Sequence, residues 1–150
     1  MRPLSLACLF LLVVVAGCDT ADVQEYMGVI EVSLAPETSV ADLALRLVAV
    51  EDMGCERPLT TSFESEAATR RVVVEGLGVD DRTAVCTAII PAAATVPLRL
   101  GPELPGVYVV EVEHAGETDL YRLDLAGTEP VLAAVRASTT RLAPDRSEGQ

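Results

Sequence analysis

The 150-residue chain contains no Lys, no Asn and no Trp, one His, and only three Tyr and two Phe. With no lysine and no arginine cluster larger than Arg70-Arg71, it lacks the basic stripe that a polyanion needs, which excludes nucleic acid as a partner. Phe10 apart, its aromatics are Tyr26, Phe63, Tyr108 and Tyr121, too few for a sugar-stacking platform or a base-stacking groove. The joint loss of Lys and Asn has two explanations. A GC-rich genome disfavours the codons of both and is the simpler one; adaptation to high salt is the other. No phosphate loop is present, because Gly76-Leu77-Gly78 runs into Val79-Asp80-Asp81, whose carboxylates repel a phosphate. Nor is there a Gly-x-Ser-x-Gly elbow to present a nucleophilic serine.

What the chain has in excess is carboxylate, 23 Asp and Glu against 11 Arg, for a net charge of −12. Such acidity discourages flat contact with anionic lipid and favours a divalent cation or a basic partner.

The N-terminus carries one positive charge at Met1-Arg2, then an apolar run over residues 4–16 that is too short to span a bilayer as a mature helix. Small residues Ala16 and Gly17 fit a peptidase cleft, and a thiol follows them. In Val15-Ala16-Gly17-Cys18 the chain resembles bacterial lipoproteins, whose lipobox these residues fit. The resemblance implies removal of residues 1–17, a diacylglycerol on the Cys18 sulfur, and attachment to a membrane of the bacterial cell envelope, facing the periplasm or the exterior. Two or three acyl chains make a stable anchor, where one is marginal. In enterobacterial lipoproteins an Asp after the lipidated Cys marks retention at the inner membrane, a rule that varies between lineages; Asp19 fits it. Residues 18–25 then form a short tether, with 26–138 as one domain and 139–150 as a polar tail. The 133 residues left after cleavage carry ten Arg against the same 23 carboxylates, a net charge of −13, and suffice for a single core.

With Cys8 removed and Cys18 lipidated, Cys55 and Cys86 remain as the one internal pair, expected to be a disulfide outside the cytoplasm. In the chain-entropy model it stabilises the fold by roughly 3 to 4 kcal/mol. A reactive thiol pair is the alternative, without the C-x-x-C spacing that lowers a thiol pKa.

From Tyr26 onward, period-two alternation broken by turn residues predicts strands. Tyr26, Gly28, Ile30, Val32 and Leu34 share one face, and Leu43, Leu45 and Leu47 oppose Arg46. Residues 51–69 read as loop, with at most a short edge strand at 61–64. The valines of 70–75 form a strand that Gly76-Leu77-Gly78 breaks, 82–90 forms another, and 95–100 is placed at an edge by Pro97. Residues 104–125 read as a hairpin about Ala115-Gly116, which sets Val110 opposite Tyr121 and Tyr108 opposite Leu123. Residues 130–138 form the last strand. About seven to eight short strands predict an all-β, antiparallel sandwich. The Pro105-Gly106-Val107-Tyr108-Val109-Val110 run resembles the entry to a late strand in immunoglobulin-like domains and in transthyretin-like sandwiches, though antibody-type domains would add a Trp and place their Cys pair elsewhere. Tyr108 is expected either as a tyrosine corner or as a plain core residue.

His114 is the one candidate for acid-base work, and it sits beside the hairpin tip, where a solvated turn histidine is expected. Glu111, Glu113, Glu117 and Asp119 surround it in sequence and form, with it, a candidate divalent-cation set. Alternation accounts for Glu111 and Glu113 as a solvent face, and the spacing matches no calcium loop. These residues imply no cofactor. The leading expectation is a non-enzymatic, lipid-anchored binding or accessory module with an envelope protein as its candidate partner, contacted through the Pro97 edge or the 51–69 region. Two other classes stay open: an envelope hydrolase using His114 with nearby carboxylates, and a divalent-cation or small-ligand binding protein.

Overall fold

Strict alternation and a two-residue turn leave the hairpin little freedom, and β7 (Val107–His114) and β8 (Glu117–Asp124) pair antiparallel in the expected register. Val110 faces Tyr121, Tyr108 faces Leu123, Val109 faces Arg122 and Glu111 faces Leu120. Ala115 and Gly116 both take positive φ, 51° and 77°, as the type I′ turn requires. Tyr108, Val110 and Val112 on one strand and Tyr121 and Leu123 on the other are buried.

The structure is a computed structural model that describes residues 23–35, 43–51, 58–66, 68–80, 91–100 and 105–144. Among these residues it is all-β, with no helix and ten strands in two sheets. The remaining strands are β1 (Val23–Glu25), β2 (Ile30–Leu34), β3 (Ala44–Ala49), β4 (Leu59–Glu66), β5 (Arg71–Asp80), β6 (Ala93–Pro97), β9 (Val131–Arg136) and β10 (Thr140–Leu142). One sheet runs β1-β5-β7-β8-β9 with β4 on the other side of β5; the second runs β10-β2-β3-β6. Their inward residues, Val72, Val74, Val110, Tyr121 and Leu123 from one sheet and Ile30, Val32, Leu45, Leu47 and Val96 from the other, form one buried cluster. This is the sandwich-like arrangement that period-two patterning with one apolar face demands.

Several expectations change. The sheets are mixed rather than antiparallel throughout, because β5 pairs parallel with β7 and β10 parallel with β2. The glycines at 76 and 78 do not end the strand. Thr60 faces Gly78 while Ser62 faces Glu75, so β5 carries one extra residue at a bulge, and Gly76 takes φ +66° there. The bulge resets the alternation: Val72 and Val74 face inward before it, Leu77 and Val79 after it, and all four are buried. Strand β5 can therefore run past the glycines without turning its second half to solvent.

Residues 59–66, within the stretch expected as loop, form the full edge strand β4 along β5. Pro97 does close an edge strand, β6, whose one described partner is β3. Two boundaries move as well. Val23–Glu25, assigned to the tether, pairs with β5 opposite Gly78 to Asp80, and Thr140–Leu142, assigned to the tail, pairs with β2. Cys18, the Cys55 and Cys86 pair and the strand expected at 82–90 lie outside the described residues.

Candidate functional site

One end of the sandwich gathers the hairpin tip, the β5 bulge, β1 and the start of β10. Alternation along β7 puts His114 in phase with Val110 and Val112, and alternation along β8 puts Asp119 in phase with Tyr121 and Leu123. Both residues therefore point inward, at 3% and 0% exposure, and His114 is not the solvated turn residue expected.

A buried carboxylate needs donors, and Asp119 receives six hydrogen bonds from three consecutive residues. Ser138 N and Oγ donate to Oδ1 at 2.7 and 2.8 Å. Thr139 N and Oγ1 donate to Oδ2 at 3.0 and 3.1 Å, and Thr140 N and Oγ1 at 2.6 and 2.7 Å. The Thr140 hydroxyl has one proton and gives it to the carboxylate, so the 2.5 Å bond between Thr140 Oγ1 and Tyr121 Oη runs from the tyrosine. Burial alone would push the Asp119 carboxyl up, but the hydrogen bonds from Thr140 and Ser138 outweigh it and hold the group well below the usual carboxylate range. Burial also raises the Tyr121 hydroxyl, with the Asp119 charge adding to the effect. This network fastens the start of β10 to β8.

His114 is held differently. Its Nε2 lies 2.6 Å from the Gly28 carbonyl, and since a carbonyl only accepts, Nε2–H donates. The Tyr26 ring stacks on the imidazole with centroids 5.9 Å apart and planes at 14°. The other ring nitrogen, Nδ1, is buried and has no partner among the described residues.

The five residues named as a cation set thus do not converge on one point. Glu111 is gripped by Arg71 through two bonds of 2.6 Å, which lower its pKa. Asp119 has its lone pairs filled by the 138–140 segment, and His114 faces inward. Among the described residues no three His, Cys, Asp or Glu side chains come together closely enough to hold a metal ion.

Glu113 and Glu117 remain exposed, and the structure brings them to two carboxylates that sequence reasoning did not single out. Glu25 of β1 and Glu75 beside the bulge join them around an open cleft of about 560 Å³ at the hairpin tip, with His114 in its wall. Where β7 and β1 share one edge of β5, the bulge separates them, and this gap is the cleft. Among the described residues no arginine lines it; Arg136 is fastened by its guanidinium to the Thr118 carbonyl at 3.0 Å. No local signal couples Glu25 and Glu75 to the hairpin, because sheet order sets that proximity. No family model, no curated protein and no solved structure matches the chain.

Proposed function

We propose that the chain is a lipid-anchored, non-enzymatic binding or accessory module of the bacterial cell envelope, attached through Cys18, and that its sandwich is of the immunoglobulin-like or transthyretin-like kind. The observation that carries the reading is where the chain enters the fold. Strand β1 runs antiparallel to β5 and sets Val23 opposite Asp80, at the end of the sandwich that holds the hairpin tip and the acidic cleft. Four residues, 19–22, separate the lipidation position from Val23, so the five Cα-to-Cα steps reach at most about 18 Å. The cleft end therefore lies toward the membrane, and the edge strand β6 that ends at Pro97 is a surface for an envelope partner.

The commitment of His114 to Gly28 and of Asp119 to the 138–140 segment favours this reading over a hydrolase built on His114. The test is the intact mass of membrane-extracted protein, with thiol alkylation before and after reduction. The expected species is residues 18–150 plus acyl groups, alkylated at Cys55 and Cys86 only after reduction, and Cys18→Ala should release the protein from membranes. An unacylated, membrane-bound species would overturn the anchor. Free thiols at Cys55 and Cys86 would return cysteine chemistry to consideration.

A further inference from the structure

We propose that the outer face of β7, β8 and β9 binds the same face of a second copy of the chain, across a two-fold axis that runs along β8. Residues 105–144 are described without a break, so the three strands and the turns that join them are all in view. Their register sets the outward residues in three rows: Val107, Asp124 and Val131; Val109, Arg122 and Ala133; Glu111, Leu120 and Arg136. In each row a β7 residue and a β9 residue stand at equal heights on either side of β8. A two-fold axis along β8 exchanges those flanks, and an isologous contact requires that they complement each other. They do. Val107 meets Val131 of the second copy, Val109 meets Ala133, and Glu111 meets Arg136, each pairing occurring twice. Arg136 owes its place to an irregularity in β9: Tyr121 faces Ala134 while Leu120 faces Arg136, so Val135 is the extra residue and the basic group stands opposite the outward Leu120.

Charge and apolar surface both single out this face. Two copies of a chain with net charge −12 repel wherever their carboxylates meet. Here the charges are balanced in place: Arg122 holds Asp124 at 2.8 Å, and Arg71 holds Glu111 through two bonds of 2.6 Å. Val107, Val109, Val131 and Val135 are four of the eight large apolar side chains exposed among the described residues, and such a concentration marks a contact surface. A groove of about 460 Å³ that Val131 and Ala133 line is open beside β8, where Val107 and Val109 of the second copy arrive. An axis parallel to the strands also keeps both copies pointing the same way. Both chains then enter the fold at one end, as two copies anchored in one membrane must, and the shared membrane concentrates them. Only this orientation rests on the anchoring proposed above.

Disulfide trapping in the full chain, expressed in its own cells and oxidised with copper phenanthroline, tests the interface. Leu120 lies on the axis, so Leu120→Cys should yield a covalent dimer, while Thr95→Cys, exposed on β6 of the other sheet, should yield at least tenfold less. Adding Val109→Glu to Leu120→Cys should lower the yield at least tenfold. Adding Ala133→Arg as well should restore it, because position 109 meets position 133 of the second copy; a variant that had merely failed to fold would not recover. Thr95→Glu, which adds the same charge to the other sheet, should leave the yield unchanged. Equal linking of Leu120→Cys and Thr95→Cys would mean random collision and overturn the proposal. So would linkage of Leu120→Cys only to a different protein, or no rescue by Ala133→Arg. The two proposals fail separately: wild-type chain released from membranes would strike the anchor, whereas a membrane-bound Leu120→Cys chain that does not link would strike the interface alone.

Discussion

Asp119 and its neighbours Glu113 and Glu117 belong to one hairpin, yet their charges are handled in opposite ways. Asp119 is buried and its own chain supplies six donors. Glu113 and Glu117 stand exposed with Glu25 and Glu75 around a cleft that no arginine among the described residues lines. A carboxylate saturated from within has nothing left to offer a ligand and serves the fold. One left unbalanced at the surface contributes little to the fold and is free to meet a partner.

The largest break in that comparison is Asp119→Ala, which leaves the buried amide and hydroxyl of Thr140 without their acceptor. It should cost about 3 to 4 kcal/mol in urea unfolding, and β10 should lose amide-exchange protection first.

Acid sharpens the same contrast. Because the folded-state pKa of Asp119 is depressed, its contribution is fully present above the unfolded value near 4 and is lost as pH falls through the folded value. The stability gap between wild type and Asp119→Asn should therefore be constant from about pH 7 to 5 and narrow below about pH 4. A gap that closes already at pH 5 would mean the donors do not hold the charge.

Two backbone positions bracket the cleft. Gly76→Ala should cost about 1 kcal/mol. The left-handed φ of +66° is the cause, since an added Cβ would meet only Ser62 Oγ, at 3.4 Å. Ala115→Gly should gain about 0.5 kcal/mol by relieving the positive φ of a residue with a side chain. Thermal unfolding reads both. The smallest effect belongs to Glu75→Gln/Glu113→Gln, with stability within about 0.5 kcal/mol of wild type. Marked destabilisation would place these glutamates in the fold instead.

The hairpin was legible because everything that fixes it is local: alternating valines, paired tyrosine and leucine, and a tip that accepts positive φ. Strand β4 was hidden because its sequence over 59–66 offers little apolar surface beyond Leu59 and Phe63, and its partner β5 supplies the pattern. The bulge was hidden because glycine serves equally to end a strand and to bend one. The inward turn of His114 and Asp119 was present in the sequence, in phase with Val110 and Val112 and with Tyr121 and Leu123. Proximity in sequence grouped them with the exposed glutamates, while alternation separates them. The parallel pairings and the meeting of Glu25 and Glu75 with the hairpin tip come from sheet order, which no local pattern encodes.

The most direct test of the contrast is an acid titration of the isotopically labelled mature protein, followed at the side-chain carboxyl carbons by NMR. The Asp119 carboxyl should stay ionised after the ordinary carboxylates have protonated, and the amides of 138–140 should move only when it does. Protonation of Asp119 within the ordinary carboxylate range would contradict the division between a carboxylate that builds the fold and carboxylates that stand at its surface.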